Sequence, residues 1–392
     1  MTKPNTTATP PTAILNTDAA LPTNMVDSHM TSITRLAYIG PVPPIRGGIS
    51  QHGANLVTAL RHRGVAVDVF SWKRQYPSVL YPGTERDDGP GFADARHTLR
   101  WSNPMSWVGV GSAAGGADAI VFPWVTPFHA VPIRAIRASS RTRSIAVIHN
   151  PLPHDRHLGD RLLTRLGLAG VDGAICHTDA IAQAIRRSLP TAQIRVAPHP
   201  PNLEAERTPA ESVPPPIRLL MPGFVRPYKG LTDALDAMVI AGASGLDVEL
   251  TVAGDFWSPS IEQARVAVSD RGLDTKVVLE PGYLPDGDLK RLISSTHAVV
   301  LPYRDGTQSG LIPLSLSAGR PVITTDAGGL AQQVRPGVDG IVCRRNDARS
   351  LADAMAALAA DYDRYATAAG SDLPTWDNMA AAVLDLATGE AG

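Results

Sequence analysis

Two series of short apolar runs alternate with helical patterns along this chain, and one proline-rich stretch separates them. In the first series, residues 35–40 form an apolar run that ends in a glycine, and a loop of prolines and glycines follows at 41–48. Helical spacing continues through Leu56 and Leu60, and the next apolar run is 65–72. A strand, a glycine loop, a helix and a second strand form a βαβ unit with parallel strands. The pattern predicts an α/β fold.

The same alternation continues to the end of the chain. Further strands of the first series are predicted at 119–122, 144–149 and 173–177, with a helix at 179–189. The second series has predicted strands at 217–221, 248–253, 276–280, 298–302 and 321–325, and predicted helices at 231–242, 260–271, 310–319, 349–360 and 375–387. Two such series predict two Rossmann-like, doubly wound domains that face each other across a cleft. Ligands of such sheets bind beyond the carboxyl ends of the strands, so the cleft is the expected site.

The length of 392 residues supports two domains, because single cores stop growing at roughly 250–300 residues. Residues 1–33 are rich in Thr, Pro, Asn and Ala and are predicted to be a disordered tail. The first domain is expected over 34–200 and the second over 217–374. The polar, proline-heavy residues 201–216 between them indicate a linker.

Charge and targeting signals exclude several classes of protein. Lys and Arg number 36 against 37 Asp and Glu, so no net charge favours a nucleic-acid partner. The chain has neither an apolar run of about 18–20 residues nor a signal-peptide pattern, which predicts a cytoplasmic protein that can still touch a membrane surface. Cys176 and Cys343 each lie in an apolar run and are interpreted as buried, reduced thiols.

Three loops and a histidine follow predicted strands. Gly47 and Gly48 stand at the start of a helix, where they either admit a phosphate close to the backbone or only serve a turn with positive φ. Arg226 and Lys229 lie three residues apart on a loop bounded by glycines, where they can neutralise a diphosphate or remain solvated. His149 ends an apolar strand and can hydrogen-bond a sugar or a developing charge.

The third loop joins a buried strand to the helix predicted at 310–319. The backbone amides of Gly310 and Leu311 would point into the cleft, and Gln308 and Ser309 can either cap the helix or bind hydroxyl groups. The first domain contains two more candidate histidines. His154 follows His149 closely, and His199, which precedes the linker, is expected to shape the hinge.

Together, in this order and spacing, these pieces resemble the retaining glycosyltransferases of family 4, which have the GT-B fold. The resemblance covers residues from about 35 to 387. Its motifs are Gly47-Gly48-Ile49, the loop from Arg226 to Gly230, Ala253-Gly254-Asp255, Gly310-Leu311, Ala318-Gly319-Arg320-Pro321, Gly328-Gly329-Leu330 and the stretch from Gly337 to Gly340.

The resemblance implies a role for each part. Arg226 and Lys229 would hold the donor diphosphate, and the amides of Gly310 and Leu311 would support it. The glycine pair of the first loop would close from the other domain, and Gly254 belongs to the same donor set. His149 is similar to the histidine that lies near the reacting sugar in the family. The nucleotide base would lie near Tyr283 and Leu284, and residues 375–392 resemble the helix that returns to the N-terminal domain.

One departure concerns two glutamates that the family usually carries eight residues apart around the Gly-Leu turn. Here those places fall near Thr307 and Ser315, and neither is acidic. Asp305 is the nearest carboxylate and is expected to replace the first glutamate, and Gln308-Ser309-Gly310 is similar to a variant of some bacterial members.

The resemblance implies a hexosyl transfer with retention of configuration, in which the donor phosphate takes the proton of the acceptor. No metal and no cofactor are expected, and both UDP- and GDP-sugars remain open as donors. The acceptor is a glycan, a glycolipid or a small molecule. Arginines such as Arg161 and Arg165 form either a solvated face or a surface for anionic lipid at the inner membrane face.

Two other functions stay open. Because the two glutamates are missing, the chain could be a catalytically silent sugar-nucleotide-binding partner of a second transferase. A different two-Rossmann enzyme, such as an epimerase or a phosphorylase, would need acid and base carboxylates or a pyridoxal-phosphate lysine that we cannot locate. A nicotinamide oxidoreductase would need a glycine fingerprint that the first loop lacks.

Overall fold

The structure is a computed structural model that describes residues 33–77, 86–87, 89–151, 159–203, 205–207 and 215–389. The predicted tail, apart from Ile33, lies outside these ranges, as do His154 and part of the predicted linker.

The first half of the described chain forms one sheet of seven parallel strands. The strands are β1 (Arg35–Ile39), β2 (Ala66–Arg74), β3 (Arg96–Arg100), β4 (Ala119–Trp124), β5 (Arg143–Ile148), β6 (Gly173–Cys176) and β7 (Gln193–Val196). Their order across the sheet is β3-β2-β1-β4-β5-β6-β7. The helices of this half are α1 (Gly48–His62), α2 (Pro104–Ala114), α3 (Ala130–Ser140), α4 (Asp160–Leu168) and α5 (Asp179–Arg186).

The second half forms a sheet of six parallel strands. The strands are β8 (Ile217–Pro222), β9 (Val248–Gly254), β10 (Val277–Pro281), β11 (Ala298–Leu301), β12 (Val322–Thr325) and β13 (Gly340–Cys343), in the order β10-β9-β8-β11-β12-β13. The helices are α6 (Leu231–Ala243), α7 (Ile261–Ser269), α8 (Asp286–Ser295), α9 (Leu311–Ser317), α10 (Ala348–Ala360), α11 (Tyr362–Ala368) and α12 (Trp376–Thr388). Both sheets are doubly wound, so the predicted fold class of two Rossmann-like domains is confirmed.

In each sheet the strand order reverses at one point, between β1 and β4 in the first and between β8 and β11 in the second. Adjacent crossovers run to opposite sides there and leave a crevice at the carboxyl ends of the strands. The glycine loop follows β1, and the loops of Arg226 and Gly310 follow β8 and β11. All three predicted ligand loops therefore start from strands at these two points.

The cores lie on both faces of each sheet, where buried strand residues meet the apolar sides of the helices. The last helix, α12, packs on the first sheet: Met379, Val383 and Leu386 belong to the same buried cluster as Ile145 and Ile175. The chain thus returns from the second half to the first. No described helix has the length and the apolar character that are needed to cross a bilayer.

Three strands were missed by the sequence prediction, and all three lie at sheet edges. These are β3 and β7 at the two edges of the first sheet and β13 at one edge of the second. An edge strand pairs on one side only, and β3 and β7 carry little apolar sequence, whereas the apolar run of β13 is short. In β3, for example, Leu99 alone is fully buried. Cys176 and Cys343 are free and buried, as predicted.

Candidate active site

The loops that follow β8 and β11 are joined to each other. The ammonium group of Lys229 donates a hydrogen bond to the hydroxyl of Tyr303, and the amide of Arg304 donates to the carbonyl of Tyr228 at 2.7 Å. The Arg304 guanidinium makes two hydrogen bonds to Asp233, at 2.7 and 2.6 Å. These contacts hold the predicted diphosphate loop against the carboxyl end of β11.

The two predicted cations of this loop sit on aromatic rings. The Arg226 guanidinium lies 4.4 Å from the ring centroid of Trp257, and the Lys229 ammonium lies 3.9 Å from that of Tyr303. Burial lowers the pKa of Lys229 to about 8, and the positive charge of Arg226 also lowers it. A cation over a ring face is attracted by the ring quadrupole, which favours one position of its side chain. The pair therefore offers a positive charge in a fixed place.

The backbone at the end of this loop requires a glycine. Gly230 has φ of +76°, and a Cβ atom built on it would lie only 1.9 Å from the carbonyl oxygen of Pro302. A side chain at this position would therefore push the loop away from the strand that it contacts. Gly254, at the end of β9, lies next to the same loop, since the Gly223 amide donates to the carbonyl of Ala253 at 2.8 Å.

On the opposite side of the cleft, Gly47 and Gly48 begin α1. Gly47 has φ of +107°, so the turn itself requires a glycine there, and Gly48 is the first helical residue. The carbonyl of Gly48 accepts a hydrogen bond of 2.9 Å from the side-chain amide of Asn202. The turn interpretation is thus confirmed for Gly47, and a ligand role for either glycine stays a prediction.

Asn202 brings the two sides of the cleft together. A Cβ atom built on Gly310 would lie 3.8 Å from the Asn202 side-chain nitrogen and 3.7 Å from Nε2 of His199. The Thr307 hydroxyl donates to the side-chain oxygen of Asn150 at 3.0 Å. The structure therefore brings Gly48 and Gly310 to the same side chain, Asn202, and brings Thr307 to Asn150 of the first half, although long stretches of sequence separate each pair.

The turn before α9 is held by a residue that the sequence did not reveal. The Gln333 side chain accepts from the Ser309 amide at 2.7 Å and donates to the Ser309 carbonyl at 3.2 Å. The Ser309 hydroxyl accepts from the Leu311 amide at 3.4 Å. The carbonyl oxygen of the Gln308 side chain is buried and has no hydrogen-bond partner among the described residues.

Comparison with known proteins identifies the family of both halves. The family described as Glycosyltransferase Family 4 matches residues 46–205, and the family described as Glycosyl transferases group 1 matches residues 216–361. This chain is a group 1 glycosyltransferase of the family 4 type. Its two Rossmann-like domains are those of the GT-B fold, as the sequence predicted.

Three similar proteins illustrate the range of the group. A GDP-mannose:glycolipid 4-beta-D-mannosyltransferase of Xanthomonas campestris is 32% identical over 126 residues, which is 31% of this chain and 35% of that protein. A glycogen synthase of Mycobacterium tuberculosis is 28% identical over 87% of this chain and 90% of its own length. The solved structure of Anabaena HepE with UDP and glucose has a TM-score of 0.61 and 15% identity, and the likeness covers 91% of this chain and 97% of that one.

The chain spans about a third of the mannosyltransferase that it matches, and the glycogen synthase match is nearly full length but distant. The structural likeness, at 15% identity, concerns the fold alone. The specific donor and acceptor of this glycosyltransferase therefore do not follow from these relatives.

The remaining predicted donor residues of the glycosyltransferase lie in different surroundings. Tyr283 is partly exposed, and the guanidinium of Arg46 from the first half lies 4.6 Å from its ring centroid. Leu284 packs against the core cluster of the second half, and Asp305 is partly buried. Ser315 is fully buried, and its hydroxyl donates to the carbonyl of Arg320 at 3.0 Å.

Four buried histidines line the first half of the glycosyltransferase cleft. His149, His177 and His199 come just after β5, β6 and β7, and His52 lies on α1. The ring centroids of His149 and His177 are 5.0 Å apart, and that of His52 lies 4.6 Å from His149 and 5.2 Å from His177. Trp376, at the start of α12, lies 4.9 Å from His52.

Burial dominates the electrostatics of this histidine cluster. It lowers the pKa of His149 to about 3 and that of His199 to about 4, and it holds the pKa values of His52 and His177 well below the usual range. The cluster is therefore neutral at pH 7. The sequence could have predicted this cluster. A histidine comes shortly after each of three neighbouring parallel strands, and such strands end at one edge of the sheet.

Proposed function

We propose that this protein transfers a hexose-type sugar from a nucleotide-diphosphate donor to a glycan, glycolipid or small-molecule acceptor, with retention of anomeric configuration. The observation that carries this proposal is the pair Arg226 and Lys229, which lies on the loop after β8, at the point where the strand order of the second sheet reverses. Their loop is tied to β11, whose own loop leads to Gly310. A diphosphate is the part of such a donor that needs fixed positive charge.

The pair also supports a mechanism. As the glycosidic bond of the donor breaks, negative charge builds on the leaving diphosphate, and preorganised cations stabilise that charge. Arg226 and Lys229 would do so without a metal at the phosphates. A front-face reaction, in which the leaving phosphate takes the proton of the acceptor hydroxyl, accounts for retention without an enzyme nucleophile.

The other predicted residues would position the donor. His149 would hydrogen-bond the reacting sugar through its neutral imidazole, and the side chains of Asp305 and Gln308 would replace the first usual glutamate. Arg46 and Tyr283 together form a cation and ring pair that suits a nucleotide base by stacking. UDP- and GDP-sugars both fit this description.

The test is thermal-shift binding with UDP, GDP, ADP and dTDP. Wild type is compared with Arg226→Ala/Lys229→Ala, and Arg265→Ala/Arg349→Ala, which removes two exposed cations from α7 and α10, is the matched control. A nucleotide at 100 times its dissociation constant stabilises the fold by about 2.7 kcal/mol. We expect one nucleotide to stabilise the wild type and the control but not the Arg226/Lys229 variant.

Donor hydrolysis and acceptor screening with that nucleotide's sugars then test transfer, and NMR of the product anomer tests retention. If no nucleotide stabilises the wild type, the proposal fails. If a nucleotide binds but no sugar is transferred to any acceptor class, the second candidate is favoured, namely a silent sugar-nucleotide-binding partner, which the non-acidic Thr307 and Ser315 suggest.

A membrane contact at the inner membrane face is the second part of the proposal. On α4, Leu162 is 70% exposed and Leu166 is 43% exposed, and Arg161 and Arg165 are exposed beside them. Apolar side chains with neighbouring arginines are typical of a helix that lies in the interface of an anionic bilayer. This surface would bring a glycolipid acceptor to the first half of the cleft.

Liposome co-sedimentation tests this contact. Arg161→Glu/Arg165→Glu is expected to abolish binding to anionic vesicles, whereas Arg186→Glu/Arg187→Glu on the exposed side of α5 is expected to weaken it only slightly. Equal binding by wild type and the Arg161/Arg165 variant would end the membrane proposal and would leave the transferase proposal intact.

A further inference from the structure

We propose that His52, His149 and His177 form a binding site for a divalent transition-metal ion of the Zn²⁺ class. The imidazole nitrogens that these residues offer as ligands all lie within 4.8 Å of one another. Each of the three side chains is at least 97% buried. The site is separate from the cation pair of the second half, so its ion has no part in holding the diphosphate. It shares His149 with the proposed sugar contact, and an ion on Nε2 of this ring would leave Nδ1 as the nitrogen that can contact the sugar.

Two neighbouring strands and one helix bring the three ligands together. Ile148 pairs with Cys176 at the ends of β5 and β6, so His149 and His177 follow at the same level of the sheet. Their ring centroids are 5.0 Å apart, close to the spacing of neighbouring strands. His52 adds the third ring from α1, one turn beyond Gly48. The strand pairing and the position of α1 therefore place the three histidine residues next to one another.

The ring nitrogens that would bind the ion have no hydrogen-bond partner among the described residues, and for His177 the tautomer is also fixed. Nδ1 of His177 lies 3.1 Å from the carbonyl of Ala197, so this nitrogen carries the proton and Nε2 has the lone pair. A ring fixed by a carbonyl at one nitrogen is the usual state of a histidine that binds metal through the other. Nε2 of His52, His149 and His177 are all buried, and none has a hydrogen-bond partner among the described residues.

Buried ring nitrogens without a hydrogen-bond partner are costly, and a cation bound by the three imidazoles would give each of them a partner. Neutral imidazoles bind Zn²⁺, Co²⁺, Ni²⁺ and Cu²⁺, whereas Mg²⁺ and Ca²⁺ prefer oxygen ligands. In a tetrahedral site with bonds of about 2.0–2.1 Å, ligand nitrogens lie roughly 3.4 Å apart. Small rotations of the three rings would reach this distance, and one coordination position would stay open.

The experiment uses the full chain without a histidine tag, freed of metal by chelation and dialysis and then titrated with Co²⁺. We expect the visible absorption of tetrahedral cobalt to saturate at one equivalent and to be displaced by Zn²⁺ but not by Mg²⁺. His52→Gln and His177→Gln are expected to weaken binding by more than the roughly 100-fold that loss of an outer-shell partner can cost. His129→Gln, which alters a buried histidine of the same half outside the cluster, is the control and is expected to bind like wild type.

X-ray absorption of the Zn²⁺-loaded wild type needs no variant and remains decisive if a substitution prevents folding. Three imidazole nitrogens at about 2.0–2.1 Å would support the site. Fewer than three, a folded wild type that retains no metal, or equal cobalt binding by wild type and both folded cluster variants would overturn it. None of these measurements needs a donor or an acceptor, so their outcome is independent of the transferase proposal.

Discussion

The carboxyl edge of the first sheet carries four buried imidazoles, whereas the matching edge of the second sheet carries Arg226 and Lys229 on loops that aromatic rings support. Both edges lie at the switch point of a doubly wound parallel sheet or beside it. In the metal-free protein, the same backbone arrangement therefore presents neutral imidazoles on one side of the cleft and fixed positive charge on the other.

This contrast shows how one fold can divide the recognition of a two-part ligand. A nucleotide-sugar has a charged diphosphate and a neutral sugar, and the two edges match these parts in charge. The contrast predicts that substitutions in the second half mainly change nucleotide affinity, and that substitutions in the first half mainly change the rate of transfer.

The largest effect is expected from the backbone of the second half. Gly230→Ala places a Cβ atom 1.9 Å from the Pro302 carbonyl at a positive φ, and we expect it to lower the free energy of unfolding by about 3 kcal/mol. Gly48→Ala, on the first half, meets only Asn202 at 3.4 Å and should change it by less than about 1 kcal/mol. Denaturant unfolding compares the two variants. An equal decrease in the free energy of unfolding for both variants would show that the loops of Gly48 and Gly230 tolerate a side chain equally well.

The second effect separates rate from binding. His149→Gln is expected to reduce kcat by about 100-fold, because it removes an imidazole beside the reacting sugar, and to change nucleotide affinity by less than about threefold. His129→Gln controls for the loss of a buried histidine elsewhere in the first half. Kinetics and nucleotide titration of both variants provide the measurement. A matched loss of nucleotide affinity in His149→Gln would break the division between the two halves.

The smallest effect is a pH dependence that belongs to the second half alone. The pKa of Lys229 is lowered to about 8, so its ammonium is charged below pH 8 and loses its proton as the pH rises through 8. A bound diphosphate favours the charged form, and nucleotide affinity should therefore fall about tenfold between pH 7 and pH 9. Lys229→Arg keeps its charge and should bind with little change over this range. Titrations of both proteins at each pH test this, and the same slope in both would contradict it.

How far the sequence predicts this molecule depends on how local each signal is. The central strands were found because they are buried on both faces and appear as continuous apolar runs. The edge strands β3 and β7 contain polar residues and lack that signal, and β13 offers only the short apolar run 341–343. Gly230 was recognisable as the end of a loop, whereas Gln333, which brackets the Ser309 backbone, gave no signal because it lies 24 residues further along the chain.

The sequence by itself determined the fold class, the family resemblance and the place of the cation pair, because apolar periodicity and glycine spacing act over a few residues and repeat. Only the tertiary structure decided which side chains meet. The order of the strands in the first sheet brought His149 and His177 together, with His52 beside them. The packing of the two halves placed the Asn202 side chain near both Gly48 and Gly310. The tertiary structure also gave the Ser315 hydroxyl a partner inside the second half. Such contacts depend on strand order and crossover direction, which no local stretch of sequence encodes.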